Sequence, residues 1–308
     1  MHFCFIVEEL YRHELMPMVI AHQLTQWGHE VDLLEPHMTI TSLAEVAGAR
    51  YDAYVLKTVS DGPGLSILEA AEAAGAPTIN HARAIRLVRD KAVATACAIA
   101  HSLPVPHTYF VAHPGLLDQV PERDYPLVVK PTNGSSCRAV YKVNCPTDLA
   151  RLDPAGTEHS FLLAQHYVEN RGHDVKVYVA GTQVFAVAKR SPLHPDVEVD
   201  KHLIPISLEW QELALRVGEI FGLDLYGLDI VETNDGPMVV DINDFPSFGH
   251  VPEAITLVAS HIIDIAAQRV LQRCNGTSSG RVPEMLNEAV TAAEEPRDTS
   301  LLSTLRGS

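Results

Sequence analysis

The sequence predicts an α/β protein with a parallel N-terminal sheet followed by antiparallel lobes, and three observations predict it. Strand-like and helix-like segments alternate through the first third of the chain. Between about residues 108 and 163 the pattern changes to short strands and polar turns. Farther on, two apolar β-rich runs flank the turn Asn234-Asp235-Gly236-Pro237, which reads as a β-hairpin.

The elements follow in order. Phe3–Val7 is a short apolar run, read as a first buried strand rather than a signal peptide. Leu15–Trp27 has helical spacing and stops at Gly28; His29–Leu34 and Tyr51–Lys57 read as strands. Leu65–Ala74 is a helix closed by Gly75, and Thr78-Ile79-Asn80 returns to a strand. This βαβ alternation implies a parallel sheet, and the lack of Gly-x-Gly-x-x-Gly after the first strand argues against a dinucleotide site there. One helix is expected from about Ala82 to Ala100, stopped by Leu103-Pro104-Val105-Pro106. Tyr125–Pro131 and Ala139–Val143 read as strands of a small antiparallel lobe. Leu162 to about Ala267 holds several strands, a helix Trp210–Phe221, the hairpin and a helix Ile255–Arg269. The expected divisions are 1–80, 81–164 and 165–274, with a linker-like tail at 275–308 that is mobile apart from a weak helix around Pro283–Ala293.

A chain of 308 residues has room for two or three lobes. Its net charge of −16 argues against a nucleic-acid or anionic-membrane partner, since both need a cationic face. Five scattered cysteines without a CxxC pair point to reduced thiols and a cytoplasmic location. No run approaches the length of a membrane span, and the sixteen histidines form no HxxxH pair.

The hairpin carries the clearest chemistry. Asp229 lies on one strand, and Asp241 and Asn243, two apart, share a face of its partner. Hard oxygen ligands on one face suit Mg²⁺ (or Mn²⁺), which takes one or two carboxylates together with substrate phosphates. Apolar neighbours make unpaired carboxylates costly, so a cation is their natural partner. Lys130 ends an apolar strand before Pro131 and the polar turn Thr132–Arg138, whose amides can hold phosphate oxygens. Gln165-His166-Tyr167-Val168 offers extended backbone to an adenine edge, with Tyr167 and Val168 as apolar cover. Asp174 and Lys176 share one strand face, where a carboxylate can accept from ribose hydroxyls. Lys189-Arg190 ends a strand before the loop Ser191–Asp196 and places positive charge toward a γ-phosphate or an anionic acceptor.

In this order, Lys-Pro with a polar turn, Gln-x-Tyr-Val, Gly-x-Asp-x-Lys and Asp…Asp-x-Asn resemble the ATP-grasp superfamily, from about residue 2 to 270. Arg89-Asp90-Lys91 resembles the entry to its central domain. Within the superfamily the chain is similar to the RimK-type carboxylate–amine ligases. It also resembles inositol trisphosphate 5/6-kinases, in Lys176–Val179, Lys189-Arg190-Ser191 and Asp241–Pro246. The resemblance implies two lobes sandwiching ATP. Lys91, Lys130, Ser135, Ser136 and Lys189 would serve the phosphates, Gln165 to Val168 the adenine, Asp174 the ribose, Arg190 the γ-phosphate, and Asp229, Asp241 and Asn243 the Mg²⁺; Lys176 and Arg190 would be the catalytic residues. It implies a small-molecule carboxylate and an amine (amino acid or peptide) as substrates, and a homo-oligomer.

The chain departs from the family pattern at four places. His166 stands where the hinge usually carries an acid, Asp241 where Glu is common, Cys137 and Arg138 where the phosphate loop has its later glycines, and Ser191–Asp196, which bears on the acceptor, where many relatives have Asn-x-His-x-Gly-Gly. The expected reaction is ligation through an acylphosphate. The alternatives are a polyol-phosphate kinase, which needs a basic acceptor cleft (Arg12, Lys57, Arg138, Lys176, Lys189, Arg190 and Lys201 are candidates), and a degenerate nucleotide-binding module. The Thr132–Arg138 turn is expected to act as a lid, and Glu8-Glu9 and Lys57-Thr58 at strand ends to meet the acceptor.

Overall fold

The computed structural model describes residues 1–12, 15–58, 62–133, 140–151, 161–169, 173–194, 196 and 198–276. The expected lid residues Gly134–Arg138, the phosphate-loop residues Ser135 and Ser136, and the weak helix at Pro283–Ala293 lie outside the described residues. Residues 1–268 form one compact unit; a second comprises 269–308, of which the end of the last helix is described.

The first sheet is parallel, ordered β2-β1-β3-β4, with β1 (His2–Val7), β2 (Glu30–Leu34), β3 (Ala53–Lys57) and β4 (Thr78–Ile79). Alternation along β1 explains its two buried faces. Phe3, Phe5 and Val7 point toward Ile20 and Leu24 of α2 (Leu15–Gln26) and Val258 and Ile262 of α8 (Ala254–Gly276). Cys4 and Ile6 point toward Leu65, Leu68 and Ala71 of α4 (Gly64–Ala73). Two short helices were not anticipated, α1 (Glu9–Arg12) and α3 (Leu43–Gly48); the latter starts at Ser42, whose hydroxyl accepts from Glu45 N at 3.3 Å.

The expected single helix at 82–100 is two, α5 (Ala82–Arg89) and α6 (Lys91–Ala100). Asp90 breaks it: its backbone is extended, and its carboxylate accepts from Ala92 N at 3.0 Å and Val93 N at 3.2 Å, which caps α6. Nor do these helices belong to the small lobe, as a division at residue 81 implied. Ala84, Val88, Ala94 and Ala98 share a core with Val175, Val177 and Val217 of the large lobe.

The small lobe is an antiparallel sheet ordered β5-β8-β6-β7, from β5 (Thr108–Val111), β6 (Leu127–Pro131), β7 (Tyr141–Val143) and β8 (Leu162–His166). Val111, Leu117, Leu127, Val129 and Leu162 form its own core. Because β8 runs on to His166, Gln165 and His166 belong to this lobe.

The large lobe is a five-stranded antiparallel sheet, β11-β10-β9-β12-β13. Its strands are β9 (His173–Ala180), β10 (Gln183–Arg190), β11 (His202–Ile204), β12 (Leu225–Thr233) and β13 (Gly236–Asn243). Helix α7 (Leu208–Phe221) begins at Ser207, whose hydroxyl accepts from Trp210 N at 3.1 Å, and closes at Gly222, whose φ of 69° suits glycine. On β9, Val175, Val177 and Val179 face the helices, whereas Asp174, Lys176 and Tyr178 face the opposite side. Helix α8 corrects one expectation. Ala254–Gln272 is 19 residues with mean hydropathy 1.4, long and apolar enough to cross a membrane. In this fold its face of Val258, Ala259, Ile262, Ile265 and Ala266 packs into the core beneath β1 and β3.

Candidate active site

The hairpin register sets Asp229 opposite Asp241 and Gly227 opposite Asn243, so the three predicted ligands share one face at one end of the β12–β13 pair. At the other end, Thr233 Oγ1 donates to Gly236 O at 2.8 Å and accepts from Asp235 N at 3.0 Å, which fixes the turn. Lys176 is the cross-strand partner of Asp229 on β9. Its ammonium lies 3.1 Å from Asp229 Oδ1, and that of Lys189 lies 3.0 Å from the same oxygen. Burial alone would push the Asp229 carboxyl up. The ammoniums of Lys176 and Lys189 more than reverse this and hold it well below the usual carboxylate range. Asp241 is ion-paired with Lys91, the first residue of α6. Asn243 has its amide nitrogen buried without a hydrogen-bond partner among the described residues.

Two carboxylates and an amide oxygen on one face form a hard donor set that fits Mg²⁺. Among the described residues no cluster of three His, Cys, Asp or Glu offers an alternative.

Beside the hairpin face is an open cleft between the small and large lobes. Lys130, Gln165, His166, Tyr167, Val168, Asp174, Lys189, Asp229 and Asp241 all line it, with Val128, Val231 and Val240 as apolar walls. Most of the predicted cofactor residues, separated by more than a hundred positions in sequence, therefore converge. Lys130 Nζ donates to Gln165 Oε1 at 3.2 Å and to Val240 O at 2.8 Å, and Gln165 Nε2 donates to Thr108 Oγ1 at 3.0 Å. The Gln165 side chain thus orients Lys130. Two hinge amides are also engaged within the lobe, His166 N with His107 O at 2.8 Å and Tyr167 N with Pro126 O at 2.9 Å.

The loop after β10 forms the end wall. Ser191, Pro192 and Leu193 line the cleft. His194 Nε2 lies 2.9 Å from the Tyr167 hydroxyl, and Lys142 Nζ sits 3.5 Å from the centre of the Tyr167 ring.

Arg190 is placed otherwise than expected. Neighbours on a strand face opposite sides, so with Lys189 turned toward Asp229, Arg190 is exposed and does not line the cleft. Lys176 contributes beneath Asp229 rather than as a cleft wall.

The sequence reading missed three anchoring contacts. Arg89 binds Asp244 and Thr58. The buried side chain of Asn80 joins the first sheet to Asp224, Leu225 and Asp244. Lys57 donates to Phe245 O. Apart from Arg89–Thr58, 31 residues apart, these contacts join parts of the chain separated by 144 to 188 residues, and no local pattern signals them.

Replacing Lys130 with Met is expected to raise the KM for ATP by roughly 10- to 100-fold, since a hydrogen bond to a charged group contributes about 1.5–3 kcal/mol. Initial-rate kinetics over ATP concentration check this, and a KM within threefold of the parent would contradict it.

Together, a parallel sheet, two antiparallel lobes and a two-acid, one-amide hairpin facing a lysine-lined interlobe cleft define an ATP-grasp enzyme. Residues 88–266 match the RimK-like ATP-grasp domain, and the chain belongs to that family. A probable alpha-L-glutamate ligase of Haemophilus ducreyi is 29% identical over 230 residues, covering 70% of this chain and 75% of that protein. A RimK domain ATP-grasp protein from Sphaerobacter thermophilus superposes with a TM-score of 0.67 at 20% identity, covering 85% of this chain and 99% of that one. The D-alanine–D-alanine ligase of Bacillus anthracis does so with a TM-score of 0.65 at 15% identity, covering 90% and 99%. The structural likenesses show the fold. The chain is an ATP-dependent, C–N bond-forming ligase of the ATP-grasp type.

Proposed function

We propose that this ligase activates a small carboxylic acid as its acylphosphate and transfers the acyl group to the amine of an amino acid or peptide. The observation that carries this reading is the Asp229–Asp241–Asn243 face opening on the cleft lined by Lys130 and Lys189. A carboxylate oxygen attacks the γ-phosphorus, the bond to the β–γ bridging oxygen breaks, and ADP leaves with the electron pair. The amine nitrogen then attacks the acyl carbon, inorganic phosphate leaves, and the amine loses a proton. Bound Mg²⁺ (or Mn²⁺) would neutralise charge that develops on the phosphates. Asp229, Asp241 and Asn243 would hold it, and the lysines now facing these acids would turn to phosphate oxygens. Asp174 would accept from the ribose, and the apolar walls Val128 and Val240 would flank the base, whose edge would meet hinge groups not already used by His107 and Pro126. The phosphate turn with Ser135 and Ser136 would cover the phosphates.

An amino-acid amine is supported by the relatives named as glutamate ligases. A polyol-phosphate acceptor is less well supported, because candidate basic residues are engaged internally. Arg12 lies 3.3 Å from Glu35, Lys57 binds Phe245 O, and Lys176 and Lys189 face Asp229. A reducing cytoplasm suits the free thiols Cys4, Cys97 and Cys145; burial pushes the Cys4 thiol up to about 12, which makes it inert. The test is ADP release by the purified protein with Mg²⁺ across panels of carboxylic acids and amino acids, beside a panel of inositol phosphates. Release that requires both an acid and an amine is expected. Phosphate retained on an inositol phosphate, or no amine dependence anywhere, would overturn the reading.

A further inference from the structure

Arg89 ends α5, two residues before Lys91, and its guanidinium grips both oxygens of Asp244: Nε donates to Oδ1 at 3.1 Å and Nη2 to Oδ2 at 2.9 Å. The same group reaches the first sheet, with Nη1 donating to Thr58 Oγ1 at 3.2 Å and Nη2 to Thr58 O at 3.1 Å. The Arg89 and Asp244 side chains are 8% and 15% exposed, so the pair is shielded from solvent. Lys91, on the next element, holds Asp241. The elbow between α5 and α6 therefore grips the end of β13 on both sides of Asn243, two residues before it and one after. Asn243 needs such a grip: its amide nitrogen is buried with no hydrogen-bond partner among the described residues, so its orientation depends on the backbone that carries it.

We propose that Arg89 is a positioning residue for the metal-holding strand: by fastening Asp244 to Thr58 it fixes the backbone from which Asn243 presents its amide oxygen. The inference rests on the reading of Asp229, Asp241 and Asn243 as metal ligands. It requires arginine in particular. A planar fork meets both carboxylate oxygens and two Thr58 acceptors at once, whereas a lysine ammonium acts as a single point charge. Hydrogen-bond partners that hold metal-binding groups in place are worth roughly 10- to 100-fold in metal affinity.

The experiment measures Mn²⁺ binding to the full chain by electron paramagnetic resonance in the presence of a non-hydrolysable ATP analogue, well below each variant's melting temperature. Arg89→Lys is expected to raise the Kd for Mn²⁺ by about tenfold or more, and added Mn²⁺ to restore activity. A purely structural role would lower the melting temperature and leave the Kd unmoved. Asp244→Asn, which keeps the shape and removes the charge, should shift the Kd in the same direction and carries the test if Arg89→Lys does not fold. Asp241→Asn is the control. Weakened binding in Asp241→Asn with unchanged binding in the Arg89 and Asp244 variants overturns the positioning role and leaves the metal site intact. Unchanged binding in Asp241→Asn overturns the metal assignment, and the positioning role with it.

Discussion

Asp229→Asn is expected to lower kcat by about three orders of magnitude while the protein still binds ATP. The substitution keeps the volume and removes one charge, at a position where charge has two functions. Asp229 is buried against two ammoniums, at 3.1 and 3.0 Å, and burial would by itself neutralise it. The lysines keep it ionised, as the proposed Mg²⁺ ligand must be. On that reading, losing the carboxylate removes transition-state stabilisation of about 4 kcal/mol, and each 1.36 kcal/mol is tenfold in rate. ATP affinity should change less, because Lys130, Asp174 and the hinge are untouched. Stability should fall as well, because Lys176 loses the buried carboxylate 3.1 Å away, and breaking a buried ion pair costs roughly 3 kcal/mol. Single-turnover ADP release and a thermal melt on the same preparation separate the two effects. Activity within tenfold of the parent would remove Asp229 from the metal site.

Much of this site was legible because its parts are local in sequence. The turn Asn234–Pro237 between alternating runs gives the hairpin, and strand alternation then places Asp241 and Asn243 on one face; the observed pairing of Asp229 with Asp241 completes the set. The first sheet was legible for a similar reason, since β1 and β3 are short apolar runs and Gly28 and Gly75 close the helices that precede β2 and β4. What was not legible depends on tertiary choice. The phase of β10 decides whether Lys189 or Arg190 faces the cleft, and side-chain chemistry does not set it. The phase follows from Val187 entering the core on the Lys189 side and Ala186 on the other. Asp90 sits in a run of good helix formers, and only its capping of α6 shows that the run is two helices. The small elements α3, β5 and β11 are too short to show a period. Arg89 and Asp244, 155 residues apart, carry no signal of each other, although Arg89 stands two residues from a lysine singled out for its own sake.

Asn80→Ala is expected to destabilise the protein by about 4 kcal/mol, the largest stability loss from any single side chain considered. Asn80 is 2% exposed, and its small amide meets four backbone groups. Oδ1 accepts from Asp224 N at 2.7 Å and Leu225 N at 2.8 Å; Nδ2 donates to Leu225 O at 2.7 Å and to Asp244 O. An orphaned buried polar group costs about 1–3 kcal/mol, and alanine orphans several at once, with some relief from entering water. Asn80→Asp should be at least as damaging. It keeps the acceptor for the two amides but sets a carboxylate against the Leu225 and Asp244 carbonyls, where a donor is needed. Urea midpoints for both variants test the account, and a loss below about 1 kcal/mol in Asn80→Ala would contradict it. The consequence extends to catalysis because of where the four groups lie. Leu225 opens the strand that carries Asp229, and Asp244 follows Asn243. Loss of Asn80 therefore frees the open end of the hairpin proposed to hold Mg²⁺, and below the melting transition the variant should lose turnover at limiting Mg²⁺ and regain part of it as Mg²⁺ is raised.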